Sequence, residues 1–146
     1  MKEITFRFAV LLFLINSSSC SSQVKPIKYG KDECYFCKMI IVDQNFGVEI
    51  VSKKGKIFKF DDLGCAKHIV KGDVLKKEEI EEVLVNNYLK PGEMLNLEKI
   101  TFVITDSLGS PMGGNMAAFD TKAAAINYIN SKGGKIISNK VFESVK

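Results

Sequence analysis

Apolar and polar positions follow several distinct regimes along the 146 residues. Residues 8–15 are an unbroken apolar run, and residues 16–26 are mostly small or polar. Residues 46–51 and 56–60 alternate partially on either side of Ser52-Lys-Lys-Gly55, which predicts an antiparallel hairpin with glycine in its turn. Asp61 and Asp62 follow, and the apolar spacing of 63–70, closed by Lys71-Gly72, predicts a short capped helix. Residues 76–89 begin with an acidic turn and repeat Ile80, Val83, Leu84 and Tyr88 at helical spacing, which predicts a second helix. Farther on, 100–105 reads as a strand and 106–109 as a turn. Residues 122–129 read as a helix ended by Gly133-Gly134, and 135–138 as a last strand.

Placing Phe60-Asp61-Asp62 on Phe119-Asp120-Thr121 superposes two strand, Phe-Asp, helix units. The predicted fold class is therefore α+β, with two similar ββα-type halves in one small domain. Its bounds are 29–142, with halves at 29–75 and 98–142 joined by the helix over 76–89. This length leaves room for one domain and argues against two independent cores.

Lys2 and Arg7 precede the apolar run, and Asn16-Ser-Ser-Ser-Cys20 follows it, which is the anatomy of a secretory signal. At about eight residues the run falls far short of the roughly 20 that a membrane-spanning helix needs. Cys20 after small residues is similar to a bacterial lipobox, although Ser17 stands where leucine is usual. Residues 1–19 are thus expected to be a lipoprotein signal peptide, Cys20 the lipidated residue, and 20–28 a tether. The protein is expected in the cell envelope, anchored to a membrane and facing the periplasm or the outer surface. A cleaved soluble form and an uncleaved anchor are the alternatives.

Composition, with 46% hydrophobic and 26% charged residues, is that of a globular domain. Removing Lys2, Glu3 and Arg7 lowers the formal charge of +4 by one. So small a charge, without aromatic residues interleaved among the lysines, excludes nucleic acid as the expected partner.

With Cys20 assigned to the lipid, Cys34, Cys37 and Cys65 remain, and three thiols cannot all pair within one domain. Cys34-x-x-Cys37 brings two thiolates onto one ion, and Met39 adds a soft thioether, a donor set that favours copper(I). Met112-Gly-Gly-Asn-Met116 offers two more thioethers in a glycine-rich segment that reads as mobile. Cys65-Ala-Lys-His68 completes a competing set, Cys34, Cys37, Cys65 and His68, which suits structural zinc, since positions three apart share a helix face. A third alternative, thiol oxidoreduction by Cys34 and Cys37, expects the motif to open a helix, whereas Met39-Ile-Ile-Val42 reads as extended. Each residue also has a plain role open to it: the methionines and Cys65 as core, and His68 as a solvated side chain. Asp61 and Asp62 are explained by capping, and no phosphate loop or nucleophile elbow is present, so an enzyme is not expected.

Asp32-Glu-Cys34-Tyr-Phe-Cys37-Lys-Met39, Lys56-Ile-Phe-Lys-Phe60-Asp-Asp-Leu-Gly-Cys65 and Met112-Gly-Gly-Asn-Met-Ala-Ala-Phe119 with Gly133-Gly134, in that order, resemble the NosL family of copper-binding lipoproteins. The resemblance spans residues 29–138. It implies two ββα-type halves and a protein that carries copper(I) and delivers it to an exported cuproenzyme. The implied recipient is nitrous oxide reductase or its maturation machinery. Cys34, Cys37 and Met39 match the family's metal motif, and Met112 lies in the matching segment of the second half. Lys38 stands where glycine is common in the family.

Overall fold

The computed structural model describes residues 25–138; the segments expected to be a signal peptide (1–19) and a lipidation site (Cys20) lie outside them. Among the described residues seven strands and two α-helices follow in chain order, with short 3-10 turns between them. Strand β1 (Val48–Ser52) and strand β2 (Ile57–Phe60) form the expected hairpin, paired antiparallel from Val48 opposite Phe60 to Val51 opposite Ile57. Helix α1 (Leu63–Lys71) starts at Asp62, whose side chain accepts the Cys65 N–H, and turns Leu63, Cys65, Ala66, Ile69 and Val70 inward.

The helix expected over 76–89 is not formed. A 3-10 turn at Lys77–Glu79 leads into strand β3 (Ile80–Asn86), which pairs antiparallel with β1. Ile80, Val83 and Leu84 satisfy a helical period, but Val83 and Val85 also alternate, and both are buried. The second edge of β1 requires a partner, and β-branched valines suit a pleated surface, so tertiary pairing overrides the helical spacing. Strand β4 (Met94–Asn96) extends this sheet to the order β2-β1-β3-β4.

In the second half, β5 (Thr101–Ile104) pairs with β6 (Met116–Phe119), α2 (Lys122–Lys132) follows, and β7 (Lys135–Ile137) returns to β5. Thr121 caps α2 by accepting the Ala124 N–H, and Gly133 ends it at φ 75°, a conformation that costs glycine little. The sheet order β6-β5-β7 repeats β2-β1-β3, so each unit is ββαβ rather than ββα.

The core runs through both units. Val48, Ile50, Phe58, Phe60, Val83 and Val85 pack with α1, and Phe102, Met116 and Ala118 of the second sheet join the same mass. Val103, Ala117 and Phe119, on the opposite face of that sheet, pack with Ala125 of α2. The second sheet is therefore a middle layer, and α1 lies close to it.

Candidate metal centre

Residues 33–40 form a knuckle. Cys34 N–H donates to Met39 O at 2.8 Å, Lys38 N–H donates to Cys34 O at 3.0 Å, and Glu33 bridges Ile40. Tyr35 N–H donates to Lys59 O at 2.8 Å, which docks the knuckle on the free edge of β2. The turn sets Lys38 at φ 65°, in the left-handed region, which explains why glycine suits this position; here Lys38 Nζ ties back to Tyr35 O at 2.7 Å.

Beyond β2 the chain enters α1, and Cys65 falls on its first turn. The Sγ atoms of Cys34, Cys37 and Cys65 thereby lie within 4.8 Å of one another, as free thiols. A metal–thiolate bond of about 2.3 Å separates sulfurs on one ion by roughly 4 Å, so the triangle is close to chelating size. Cys34 and Cys65 are buried, and Cys37 faces partly outward.

The three thiols titrate together. Cys34 is lowered to about 5, first because the Cys65 thiol donates to it, and then because the backbone N–H groups of Cys37, Asp61 and Phe36 point at its sulfur. Cys65 is pushed up because it is the donor in that bond and because it is buried. Burial is the main cause raising Cys37, partly offset by the Met39 N–H. Near neutral pH the metal-free triangle therefore holds one thiolate, on Cys34, and two thiols.

Two adjacent carboxylates diverge. Asp61 is buried with Oδ1 unpaired, and burial, aided by Cys34, raises it to about 6. Asp62, also buried, does more than cap α1: its Oδ1 accepts from Cys65 N–H at 3.0 Å, while its Oδ2 accepts from Ser110 Oγ–H and from Met112 N–H, each at 3.0 Å. The 110–116 segment, which reads as mobile from its glycines, is thus pinned to the helix that carries Cys65. Ser110 and Asn115 brace it further by exchanging bonds of 3.2 and 2.8 Å. A Cβ on Gly114 would lie 3.7 Å from both Gly64 N and Asp62 Oδ2, which measures how closely the loop approaches α1.

Around this frame Met39 and Met112 are exposed and Met116 is buried in the core. His68 is not in the group of three. Its ring faces Phe36, 4.7 Å away and only 2° from parallel. The fourfold set of three cysteines and His68 is therefore not assembled. Neither the Asp62 bridge nor the Phe36–His68 stack is signalled in the sequence, since both join residues far apart in the chain.

The family model described as NosL matches residues 26–144. Among solved structures, the crystal structure of the copper chaperone NosL from Shewanella denitrificans matches with a TM-score of 0.70 and 22% identity. The match covers 83% of this chain and 96% of that one. No match is found among curated proteins. At 22% identity the structural likeness carries the fold alone, whereas the family match spans most of the sequence: the chain belongs to the NosL family.

Proposed function

We infer that this protein is a copper(I) carrier that binds one ion through Cys34, Cys37 and Cys65, with Met39 and Met112 as flanking thioethers, and passes it to an exported cuproenzyme. The observation that carries this reading is the triangle of three sulfurs within 4.8 Å, set where the knuckle meets the first turn of α1. Soft thiolates favour copper(I), and the exposure of Met39 and Met112 suits a site that exchanges ligands with a partner. Family membership and the similarity to a protein described as a copper chaperone support the same assignment. The protein acts by holding and releasing the ion and not by catalysis. Nitrous oxide reductase or its maturation machinery is the proposed recipient, with a lipid on Cys20 holding the carrier at a membrane. Among the described residues no helix is long and apolar enough to cross one.

Because Cys37 and Cys65 keep their protons near neutral pH, binding must displace them, and copper(I) affinity rises as pH rises. The test is anaerobic competition between the protein and a copper(I)-chelating dye, with zinc(II) present, at pH 6 and pH 8. The expected result is one copper(I) per chain, bound more tightly at pH 8. Retention of zinc in place of copper would replace the carrier with a structural zinc module. Oxidation of Cys34 and Cys37 coupled to reduction of a disulfide substrate would replace it with a thiol oxidoreductase.

A further inference from the structure

Two lysines, Lys38 and Lys56, lie beside the Tyr35 ring of the knuckle and two, Lys67 and Lys71, lie on α1, and none of the four meets a carboxylate within the 4.0 Å of an ion pair among the described residues. Lys38 Nζ lies 4.7 Å from the centre of the Tyr35 ring. Lys56 Nζ lies 5.3 Å from the same ring and 4.5 Å from Phe58. These contacts hold both cations against the aromatic side of the knuckle. Lys67 and Lys71, four apart and so on one face of α1, line a groove together with His68, the residue stacked on Phe36.

Between α1 and the second sheet runs an open groove of ≈ 360 Å³. Ile104, Gly114 and Met116 supply its apolar wall, and Lys67, His68 and Lys71 line its other side. The Phe36–His68 stack joins this groove to the knuckle, where Phe36 and Met39 are exposed, as is Met112 on the loop pinned to the start of α1. An apolar strip thus leads from the knuckle into a groove, with Lys67 and Lys71 at the groove and Lys38 and Lys56 at the knuckle's Tyr35.

We propose that this strip is the docking surface for the copper-receiving protein, and that the receiving protein presents an apolar segment flanked by carboxylates. The inference rests on the copper-carrier reading and adds the chemistry of the partner to it. Charge complementarity selects a protein of acidic face: four lysines that meet no carboxylate among the described residues steer an oppositely charged surface and repel a basic one. The concave groove beside the site selects a protein segment over a lipid surface, which is broad and cannot enter it.

The test uses the full chain and two fluorescent peptides of identical apolar pattern, each carrying one Cys-x-x-Cys, one flanked by glutamates and the other by lysines. Anisotropy is measured on the metal-free protein, so that docking is read apart from copper. The glutamate peptide is expected to bind, and the lysine peptide is not. The double variant Lys67→Glu/Lys71→Glu, and separately Lys38→Glu/Lys56→Glu, should weaken glutamate-peptide binding by about tenfold or more, as should 0.5 M salt. The distant pair Lys99→Glu/Lys122→Glu should leave it unchanged.

Equal binding of both peptides, or equal loss in the distant pair, would overturn the proposal. So would sedimentation with phosphatidylglycerol vesicles, lost in Lys67→Glu/Lys71→Glu, in a protein that ignores the glutamate peptide; that result would assign the lysines to a membrane. If copper(I) competition fails while glutamate-peptide docking persists with its lysine dependence, the carrier reading falls and the acidic-partner surface stands.

Discussion

The two ββαβ units share a frame and differ in chemistry. In each, a Phe closes the second strand, a capped helix follows, and the strand after the helix returns to the first strand. Aligned on Phe60 and Phe119, Asp61 corresponds to Asp120, the Asp62 cap to the Thr121 cap, and Cys65 to Ala124. The first unit buries Asp61 beside Cys34, whereas the second leaves Asp120 to pair with Lys90 at 3.1 Å on the surface. Register extends the comparison: Val48 faces Phe60 as Thr101 faces Phe119, so buried Glu49 occupies the place that Phe102 fills in the second unit. The frame alone therefore brings no thiols together. The sulfur triangle, the candidate metal site, arises where the first unit adds a cysteine knuckle to its free strand edge and a third cysteine to its helix start. The second unit contributes the methionine loop.

The largest expected effect tests whether the units are one folding body. Phe60→Ala and Phe119→Ala should each cost about 3–5 kcal/mol in urea unfolding, because both rings are fully buried. Each variant should unfold in a single transition, since Phe102, Met116 and Ala118 belong to the first unit's core. Two resolved transitions would separate the halves.

Next comes the asymmetry of the helix starts. Cys34→Ser should weaken copper(I) affinity by at least about 100-fold in dye competition, as removal of outer supports alone commonly costs 10–100-fold. Ala124→Cys, which copies Cys65 into the second unit, should add no second copper, because no knuckle stands opposite it.

The caps give a smaller contrast. Thr121→Ala should cost about 1 kcal/mol, the ordinary value of a cap. Asp62→Ala should cost about 2–3 kcal/mol, since it also leaves Ser110 and the Met112 N–H without their acceptor. Equal losses would deny Asp62 its bridging role.

The smallest effect is a pH dependence. Burial raises Glu49, and neither of its oxygens has a hydrogen-bond partner. The folded state therefore holds this proton more tightly than the unfolded chain does. The resulting stabilisation is fully present below the ordinary carboxylate value and is lost as pH rises through the raised one. Glu49→Met should accordingly stabilise the metal-free protein by about 1–2 kcal/mol at pH 8, with a much smaller change at pH 4 in thermal unfolding.

Much of the frame is legible in the sequence. Gly55 marks the first hairpin, Asp62 and Thr121 mark the helix starts, and Gly133 marks the end of α2. Residues 80–86 mislead because Ile80, Val83 and Leu84 fit a helical period while Val83 and Val85 fit a strand. Only the open edge of β1, a feature of the assembled sheet, decides between them. That misreading conceals the third strand of the first unit, and with it the full symmetry of the repeat. Strand β6 is inconspicuous because Ala117 and Ala118 carry little strand preference. At the site, local spacing identifies Cys34 and Cys37 as a pair. The approach of Cys65 follows from the strand and cap between them, and the Asp62 bridge depends on residues some fifty positions apart, which no local pattern encodes.

The most direct test is X-ray absorption at the copper edge of the anaerobically loaded full chain, with Cys34→Ser and Cys65→Ser measured alongside. The expected spectrum is that of copper(I) in a sulfur-only shell at about 2.3 Å, with fewer sulfurs in each variant and copper lost during desalting. A shell dominated by nitrogen or oxygen, or a spectrum unchanged by Cys65→Ser, would contradict a copper site built from the three-cysteine triangle.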